Sequence, residues 1–284
     1  MEIDAHQHFW RYDPQRDLWI TEEMAILRRD FLPADLAGEL RSSGVQACIA
    51  VQADQSEAET LFLLQLAERH PEIAGVVGWV DLRSSGLRKR LEYFSRFPKL
   101  VGFRHIAQSE PDDMFLLRED FLRGVTLLSE FGFTYDILIY PKHLAVAVEF
   151  AQKLPHQKLV LDHMAKPLIK SREIREWASC IKAIAELPNV HCKVSGLVTE
   201  AKWKKWKPAD FKPYLDVAFE AFGTQRLMFG SDWPVCLLSG TYASVKSLVA
   251  EYVSTCSHAD REAVFGLNAQ RFYHREVSRH GSAA

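Results

Sequence analysis

Residues 158–165 read KLVLDHMA, a short apolar run that ends in an aspartate and a histidine. The unbroken stretch Leu159–Leu161 is typical of a strand buried on both faces of a parallel sheet. The polar pair Asp162 and His163 follows it directly. The segment therefore predicts a buried parallel strand whose carboxyl end carries chemically active side chains.

Seven other runs share this β-rich, apolar character, and each is followed by a stretch that reads as a helix. They begin at Glu2 (EIDAHQH), Ala47 (ACIAVQAD), Ile73 (IAGVVGWVDL), Leu100 (LVGFRHIA), Phe133 (FTYDILI), Val190 (VHCKVSG) and Arg226 (RLMFGSDW). Helix starts are indicated by the capping box at 56–59, by Pro141, and by Ser257 with Asp260.

Eight strand–helix units in 284 residues predict a protein of the α/β class, a (β/α)8 TIM barrel forming a single domain over residues 1–284. The competing architecture is a doubly wound open sheet. Its phosphate-binding GxGxxG turn follows none of the eight runs, which favours the barrel.

Composition narrows the class of protein. The chain is 48% hydrophobic and 25% charged with a net charge of −2, so no global positive field is present to bind nucleic acid or a membrane surface. No apolar window approaches the roughly 18 residues of a membrane span. The start of the chain does not read as a signal peptide, and the five scattered cysteines include no CxxC pair, so we expect a cytoplasmic protein.

The basic stretch 202–207 (KWKKWK) is interpreted as a solvated rim before a helix, with a stacking site for nucleic acid or sugar as the alternative.

Polar side chains mark the ends of all eight runs. A barrel carries its chemistry at the carboxyl ends of its strands, and burying so many ionisable groups without partners would be costly. A shared polar site is therefore expected there. The residues are His6, His8, Gln52, Asp54, Asp81, Arg104, His105, Asp136, Asp162, His163, Lys193, Ser195, Ser231 and Asp232.

The first and last runs supply the strongest candidates. His6 and His8 lie two apart, so on a strand both imidazoles face the same way and can reach one centre. The alternative is one histidine in the core and one in solvent. Asp232 ends the last run, which neighbours the first in a closed barrel, and its carboxylate can deprotonate a water or bind a metal. A turn or N-cap role before Trp233 is its alternative.

The remaining candidates are assigned by residue type. His163 is predicted to be a third imidazole of the site, whereas Asp162 is expected to point to the opposite face. Arg104 and Lys193 are predicted to hold a substrate carbonyl, carboxylate or hydroxyl, or else to pair with acids such as Asp136 inside the barrel mouth. The predicted substrate-binding set is Arg104, Lys193, Asp136 and Trp233, the last as an aromatic floor for a sugar ring.

Four motifs span nearly the whole chain in order: DAHQHFW at 4–10, LDH at 161–163, GSDWP at 230–234 and FGLNAQRFY at 265–273. In these motifs the chain resembles the amidohydrolase superfamily, in its branch of sugar-lactone hydrolases. The resemblance implies a (β/α)8 hydrolase in which water attacks an ester or lactone carbonyl. It implies that Asp232 is the general base, and that His6, His8 and His163 bind a metal or polarise the carbonyl directly.

The sequence departs from the binuclear members of that superfamily at two strand ends. The fourth run ends in Arg104 and His105, where those members carry a bridging lysine or glutamate, and the fifth offers Asp136 in place of a metal-binding histidine. We expect at most one divalent metal, zinc, with His6, His8, His163 and Asp232 as candidate ligands. Four protein ligands would leave no open position for water on a tetrahedral ion. Three arrangements would avoid this conflict. The ion could take more than four ligands, one of the four candidates could remain unbound to it, or the enzyme could work without a metal.

The predicted function is therefore a lactonase that opens a sugar-acid lactone such as an L-fuconolactone. The alternatives are another metal-dependent hydrolase or a decarboxylase on the same barrel, or a non-catalytic protein that binds sugar acids. The expected partner is a small-molecule sugar lactone, with no nucleic acid and no membrane. Assembly into a homo-oligomer is left open.

Overall fold

Eight parallel strands form the centre of the molecule. The computed structural model describes residues 1–275, and each strand pairs with the next in chain order. The predicted (β/α)8 barrel is confirmed, and all eight predicted runs contain a strand; residues 276–284 of the predicted domain lie outside the described residues. The strands are β1 (Ile3–Gln7), β2 (Ala47–Val51), β3 (Ile73–Gly78), β4 (Leu100–His105), β5 (Thr134–Ile137), β6 (Leu159–Leu161), β7 (Val190–Val194) and β8 (Leu227–Phe229).

Hydrogen bonds beyond the end of β8 close the ring against β1. The backbone N–H of Asp232 donates to the carbonyl of His6 at 2.8 Å, and the N–H of His8 donates to the carbonyl of Trp233 at 2.7 Å. The contact that closes the barrel is therefore made by the DAHQHFW and GSDWP motifs, which carry His6, His8 and Asp232. Closure places Asp232 beside the histidine pair, as the sequence predicts.

Helices surround the barrel, and their caps follow the sequence signals. Ser56 accepts a hydrogen bond from the N–H of Glu59, and Ser257 accepts one from the N–H of Asp260. Pro141 starts a short 3-10 turn that leads into a helix at Leu144. Within residues 1–275, no helix has the length and apolar character needed to cross a membrane. The helices are α1 (Pro33–Ser42), α2 (Glu57–Arg69), α3 (Leu87–Phe94), α4 (Glu119–Glu130), α5 (Leu144–Lys153), α6 (Arg175–Ala185), α7 (Leu197–Glu200), α8 (Pro208–Phe222), α9 (Tyr242–Tyr252), α10 (His258–Glu262) and α11 (Asn268–Phe272).

The basic stretch 202–207 lies in the connection between α7 and α8. The indole N–H of Trp203 donates to the carbonyl of Thr199 at 2.9 Å, and that of Trp206 donates to the carbonyl of Ser239 at 3.0 Å. Both indoles are therefore engaged in packing the loop. This agrees with the interpretation of the stretch as a rim that precedes a helix.

The interior of the barrel changes character along its axis. One end is apolar, with small and β-branched side chains from the strands and with Phe272 and Tyr273 from the carboxyl end of α11. Towards the carboxyl ends of the strands, ionisable side chains replace them. The apolar end includes Ile3, Ala5, Ile49, Val51, Val77, Val160 and Met228.

A local irregularity in β1 turns its histidine inward. Ala5 packs in the apolar interior, so strict alternation would send His6 outwards. The pairing of β1 with β2 shifts register between Asp4 and Gln7, and His6 contacts interior residues instead. Such a bulge re-aims a side chain, and it gives His6 and His8 their common centre.

Candidate active site

Four charged side chains form a layer across the barrel, directly above the apolar interior. We call Arg104, Asp136, Asp162 and Lys193 the ionic layer; each is at most 3% exposed. The Lys193 ammonium lies 2.5 Å from Asp136 and 2.9 Å from Asp162, and Arg104 donates to Asp162 at 3.0 Å. The Tyr273 hydroxyl also donates to Asp136 at 2.9 Å. Two cations face two carboxylates, so the layer is neutral and every charge has a partner.

The two carboxylates of the ionic layer differ in proton affinity. Burial raises the pKa of Asp136 to about 6, although the Lys193 ammonium opposes the shift. Burial would also raise the pKa of Asp162, but Lys193, His6 and Arg104 together hold it well below its usual value. Asp162 is thus the more firmly ionised of the pair, because two cations contact it.

Three imidazoles and one carboxylate lie above this layer. The Oδ1 atom of Asp232 is 3.4 Å from Nε2 of His8, 3.9 Å from Nε2 of His6 and 4.0 Å from Nε2 of His163. The Nε2 atoms of His6 and His8 are 3.2 Å apart. The structure therefore brings all four predicted catalytic residues together, and we refer to them as the reactive cluster.

Each imidazole is held at its Nδ1 atom, which leaves Nε2 directed at Asp232. Nδ1 of His8 lies 2.7 Å from the carbonyl of Val51, and a carbonyl only accepts, so this nitrogen carries the proton and Nε2 is a free lone pair. Nδ1 of His163 lies 2.9 Å from the hydroxyl of Ser195.

His6 has two partners at the same atom. Its Nδ1 is 3.1 Å from the Lys193 ammonium, a donor, and 3.3 Å from Asp162, an acceptor. Either neutral tautomer of the ring is therefore satisfied. His6 can present Nε2 as an N–H donor or as a lone pair, whereas the tautomer of His8 is fixed.

The chain places His163 through an unusual turn. His163, Met164, Ala165 and Lys166 all have positive φ, between 52° and 56°, which non-glycine residues rarely adopt. The strand ends at Leu161, so Asp162 and His163 do not alternate: both reach the interior. Asp162 continues the interior face of Val160, and the turn brings His163 to the same side, so the prediction that Asp162 faces the opposite side is wrong.

The backbone that follows β7 approaches the His163 ring closely. A Cβ at Gly196 would lie 2.6 Å from Nδ1 of His163, and the glycine itself has a φ of 64°. Any other residue would push the imidazole away from Ser195. Gly196 therefore keeps the space that the third imidazole needs.

The Asp232 loop is tied to β1 by a buried carboxylate. Asp4 accepts hydrogen bonds from the N–H of Ser231 at 2.9 Å and from the N–H of His6 at 3.1 Å. Asp232 itself has a φ of 56°, a left-handed conformation that this frame sustains. The first residue of the DAHQH motif thus positions both halves of the reactive cluster.

The electrostatics of the reactive cluster favour an ionised Asp232 beside a neutral His163. Burial lowers the pKa of His163 to about 4, even though Asp232 opposes the shift. Burial would raise the pKa of Asp232, but His163, His8 and Lys166 bring it below its usual value. At neutral pH the carboxylate is therefore available to accept a proton.

A cavity of about 280 Å3 opens above the reactive cluster. His8, His163 and Asp232 form part of its wall, and Arg104 reaches it from the ionic layer. The volume is close to the lower limit of about 300 Å3 for small-molecule sites. The other lining residues are Trp10, Trp19, Ala53, Gln55, Ile106, Gln108, Ser109, Leu138, Lys166 and Val235.

Three of the four predicted substrate-binding residues do not line the cavity. Lys193 and Asp136 are fully buried and pair with each other in the ionic layer, which is the alternative that the sequence left open and not the predicted contact with substrate. Trp233 is 2% exposed and packs against Phe9 and Phe31, so it closes the barrel wall. Only Arg104 is placed as predicted, while Lys166, Gln55 and Gln108 line the cavity without having been singled out.

The donor set fits one divalent ion. The ligand atoms of His6, His8 and Asp232 lie within 4.8 Å of one another, and two imidazoles with a carboxylate suit zinc. His163 stays outside this compact group, which leaves a position for water. A second group, His6, Asp162 and His163, already contacts the cations Lys193 and Arg104 through Asp162.

Known proteins match this chain over almost its full length. The profile of the amidohydrolase family matches residues 3–275. The chain belongs to the amidohydrolase family. It is 43% identical to an L-fucono-1,5-lactonase from Burkholderia multivorans, with 96% of each chain covered, and 36% identical to an L-fucono-1,5-lactonase from Burkholderia ambifaria, with 95% of this chain and 94% of the relative covered.

A crystal structure extends the comparison to three dimensions. An amidohydrolase from Burkholderia multivorans with bound zinc superposes with a TM-score of 0.94 at 42% identity, covering 97% of this chain and all of the other. The family membership inferred from the four sequence motifs is confirmed.

Proposed function

We propose that this amidohydrolase opens sugar-acid lactones by the attack of water on the lactone carbonyl, with Asp232 as the general base. The observation that carries the proposal is the convergence of Asp232 with three imidazoles at the floor of a small cavity. The similarity to two L-fucono-1,5-lactonases supports a six-carbon aldonolactone as the substrate.

The first step uses the ionised carboxylate. Asp232 accepts a proton from water, and the resulting hydroxide oxygen forms a bond to the carbonyl carbon. General-base catalysis of this kind contributes about 10²–10⁴ in rate. The lowered pKa of Asp232 keeps it ionised at neutral pH, so the base is present without a prior proton transfer.

As hydroxide bonds to the carbonyl carbon, the π bond of the carbonyl breaks and its electron pair moves to the oxygen, which becomes negatively charged. Arg104 lines the cavity, so its guanidinium can donate to that oxygen. The bond from the carbonyl carbon to the ring oxygen then breaks. Asp232 returns its proton to the departing alkoxide, and the product is a hydroxy acid that ionises.

His6, His8 and Asp232 would hold a single divalent ion, and the zinc in the related Burkholderia multivorans structure supports zinc as that ion. When bound, it would supply a Lewis acid for the carbonyl oxygen and lower the pKa of water. His163, held by Ser195 outside this group, would then contact the substrate or the attacking water.

A pH-indicator screen over aldonolactones tests the proposal. We expect acid release from L-fucono-1,5-lactone and from stereochemically related lactones. Each assay is run with and without a chelator, on protein of measured metal content. Full activity after removal of the metal would assign the chemistry to the histidines and Asp232 alone.

Other reactions give different outcomes in the same assay. A decarboxylase would release carbon dioxide and leave every lactone intact. A sugar-acid binding protein would show no turnover, and Asp232→Asn would leave its ligand affinity unchanged. Either result would contradict the proposal.

A further inference from the structure

Lys166 contributes a cation to the cavity that the proposed mechanism does not use. It ends the left-handed turn that carries His163, and its side chain lines the cavity together with Asp232 and Arg104. The ammonium lies 5.4 Å from the centre of the Tyr140 ring. A lysine enclosed in this way loses much of its hydration, which has to be replaced by other contacts.

Within the described residues, protein groups do not supply a close partner. Glu200, Asp232 and Asp162 are the carboxylates that act on Lys166, and none of them has an oxygen within 4 Å of its ammonium. The other cation of the cavity differs, because Arg104 binds Asp162 at 3.0 Å and also the carbonyl of Gln52. Lys166 therefore has the charge that is free to pair with a ligand.

The proposed reaction creates one suitable ligand group. The lactone is neutral, but ring opening leaves a carboxylate next to the ionised Asp232, and two like charges at close range repel. We propose that Lys166 is the counter-ion of that product carboxylate, so that it sets how strongly the site prefers a sugar acid over a neutral sugar. This inference rests on the proposed function for the identity of the acid.

Ligand pairs that differ only in the carboxylate test this directly. Isothermal titration calorimetry would compare L-fuconate with L-fucitol, which has the same hydroxyl stereochemistry but no carboxylate. Since a hydrogen bond to a charged group contributes about 1.5–3 kcal/mol, we expect wild-type protein to prefer the acid by about 10- to 150-fold.

Substitutions then locate the source of the preference. Lys166→Met should reduce it to about threefold or less, whereas Lys166→Arg should keep most of it. Lys166→Gln serves as a second neutral variant if Lys166→Met does not fold. The matched control is Lys170→Met, an exposed lysine four residues along the same segment, which should behave as wild type.

A metal ion also attracts carboxylates, so all variants are compared at equal metal content and again after chelation. An undiminished preference for L-fuconate in the Lys166 variants would overturn the inference. Equal weakening of L-fuconate and L-fucitol would overturn it as well, because it would indicate a contact with hydroxyls.

The inference and the proposed function fail in different ways. If no lactone is turned over but the preference for L-fuconate persists and depends on Lys166, the proposed reaction is wrong while the carboxylate site stands. If lactones are hydrolysed but the preference is absent in wild-type protein, the reaction stands and the role of Lys166 is wrong.

Discussion

The ionic layer and the reactive cluster are both groups of buried ionisable side chains, yet they differ in how their charges are used. In the ionic layer each charge is buried and contacts an opposite charge within 3.0 Å. In the reactive cluster the carboxylate of Asp232 is 3.4–4.0 Å from three imidazoles and faces the cavity. Lys193 and Asp136 therefore hold the barrel together, while Asp232 is free to react.

Depth along each strand explains the difference. Asp136 lies within β5 and Lys193 within β7, so their side chains are enclosed by neighbouring strands. His8 and Asp232 follow the ends of their strands, and loop geometry directs them to the cavity. For these four residues, the two inside a strand are structural and the two just beyond a strand reach the cavity. His6 connects the two groups, because it contacts both Lys193 and His8.

Breaking the ionic layer should produce the largest loss of stability. Lys193→Met would leave Asp136 and Asp162 with an uncompensated buried charge, and removing one partner of a buried pair costs about 3–5 kcal/mol. Chemical denaturation measures this loss. The control Lys182→Met removes an exposed pair with Glu220 and should cost less than about 1 kcal/mol.

A double variant sharpens this test. Adding Asp136→Asn to Lys193→Met removes the uncompensated carboxylate, while Asp162 keeps its bond to Arg104. The double variant should therefore be more stable than Lys193→Met alone. If Lys193→Met and Lys182→Met cost the same, the ionic layer does not support the barrel.

The contact between His163 and Ser195 should have an intermediate effect. Ser195→Ala leaves Nδ1 of His163 without its hydroxyl partner and frees the ring, and loss of such orienting groups typically costs about 10- to 100-fold in activity at metal sites. The measured quantity is kcat on the preferred lactone, with the exposed Ser129→Ala as the control. An unchanged kcat would show that the orientation of His163 does not matter.

The smallest predicted effect concerns a histidine at the opposite end of the barrel. Burial lowers the pKa of His191 to about 4, and its ring packs on Phe272. Between pH 6.5 and 4 the unfolded chain therefore binds a proton that the folded protein does not, so the free energy of unfolding falls as the pH falls. One proton corresponds to about 1.4 kcal/mol per pH unit.

His191→Phe should remove that contribution and flatten the pH dependence of the free energy of unfolding between pH 6.5 and 4.5. Denaturant titrations at several pH values measure the slope. His258→Gln alters an exposed histidine and should leave the slope unchanged. A slope equal to that of wild type in His191→Phe would contradict the assignment of a half-buried neutral ring.

Much of the fold and of the reactive cluster could be predicted from the sequence, because strand ends carry conspicuous polar residues. The recurrence of apolar runs predicted eight strands, and the adjacency of first and last strands placed Asp232 beside His6 and His8. These inferences need only the period of a strand and the closure of a barrel.

Other features depend on geometry that departs from that regularity. The bulge in β1 puts Ala5 and His6 on one face, and the left-handed turn brings His163 to the interior beside Asp162. Neither follows from a period of two. Lys193 was predicted at the right end of the barrel but at the wrong depth, because residue type does not distinguish a buried pair from a substrate contact. No motif or strand-end position in the sequence marked Lys166 as a residue of the cavity.

We propose a structural role for the ionic layer and a catalytic role for Asp232. The most direct test compares Asp232→Asn with Asp162→Asn and measures kcat and the free energy of unfolding for both. We expect Asp232→Asn to lower kcat by about 10²–10⁴ while its stability stays close to that of wild type. We expect Asp162→Asn to lose about 3–5 kcal/mol, because Arg104 and Lys193 lose a shared partner. Near-normal turnover by Asp232→Asn, or a loss of stability equal to that of Asp162→Asn, would contradict the account.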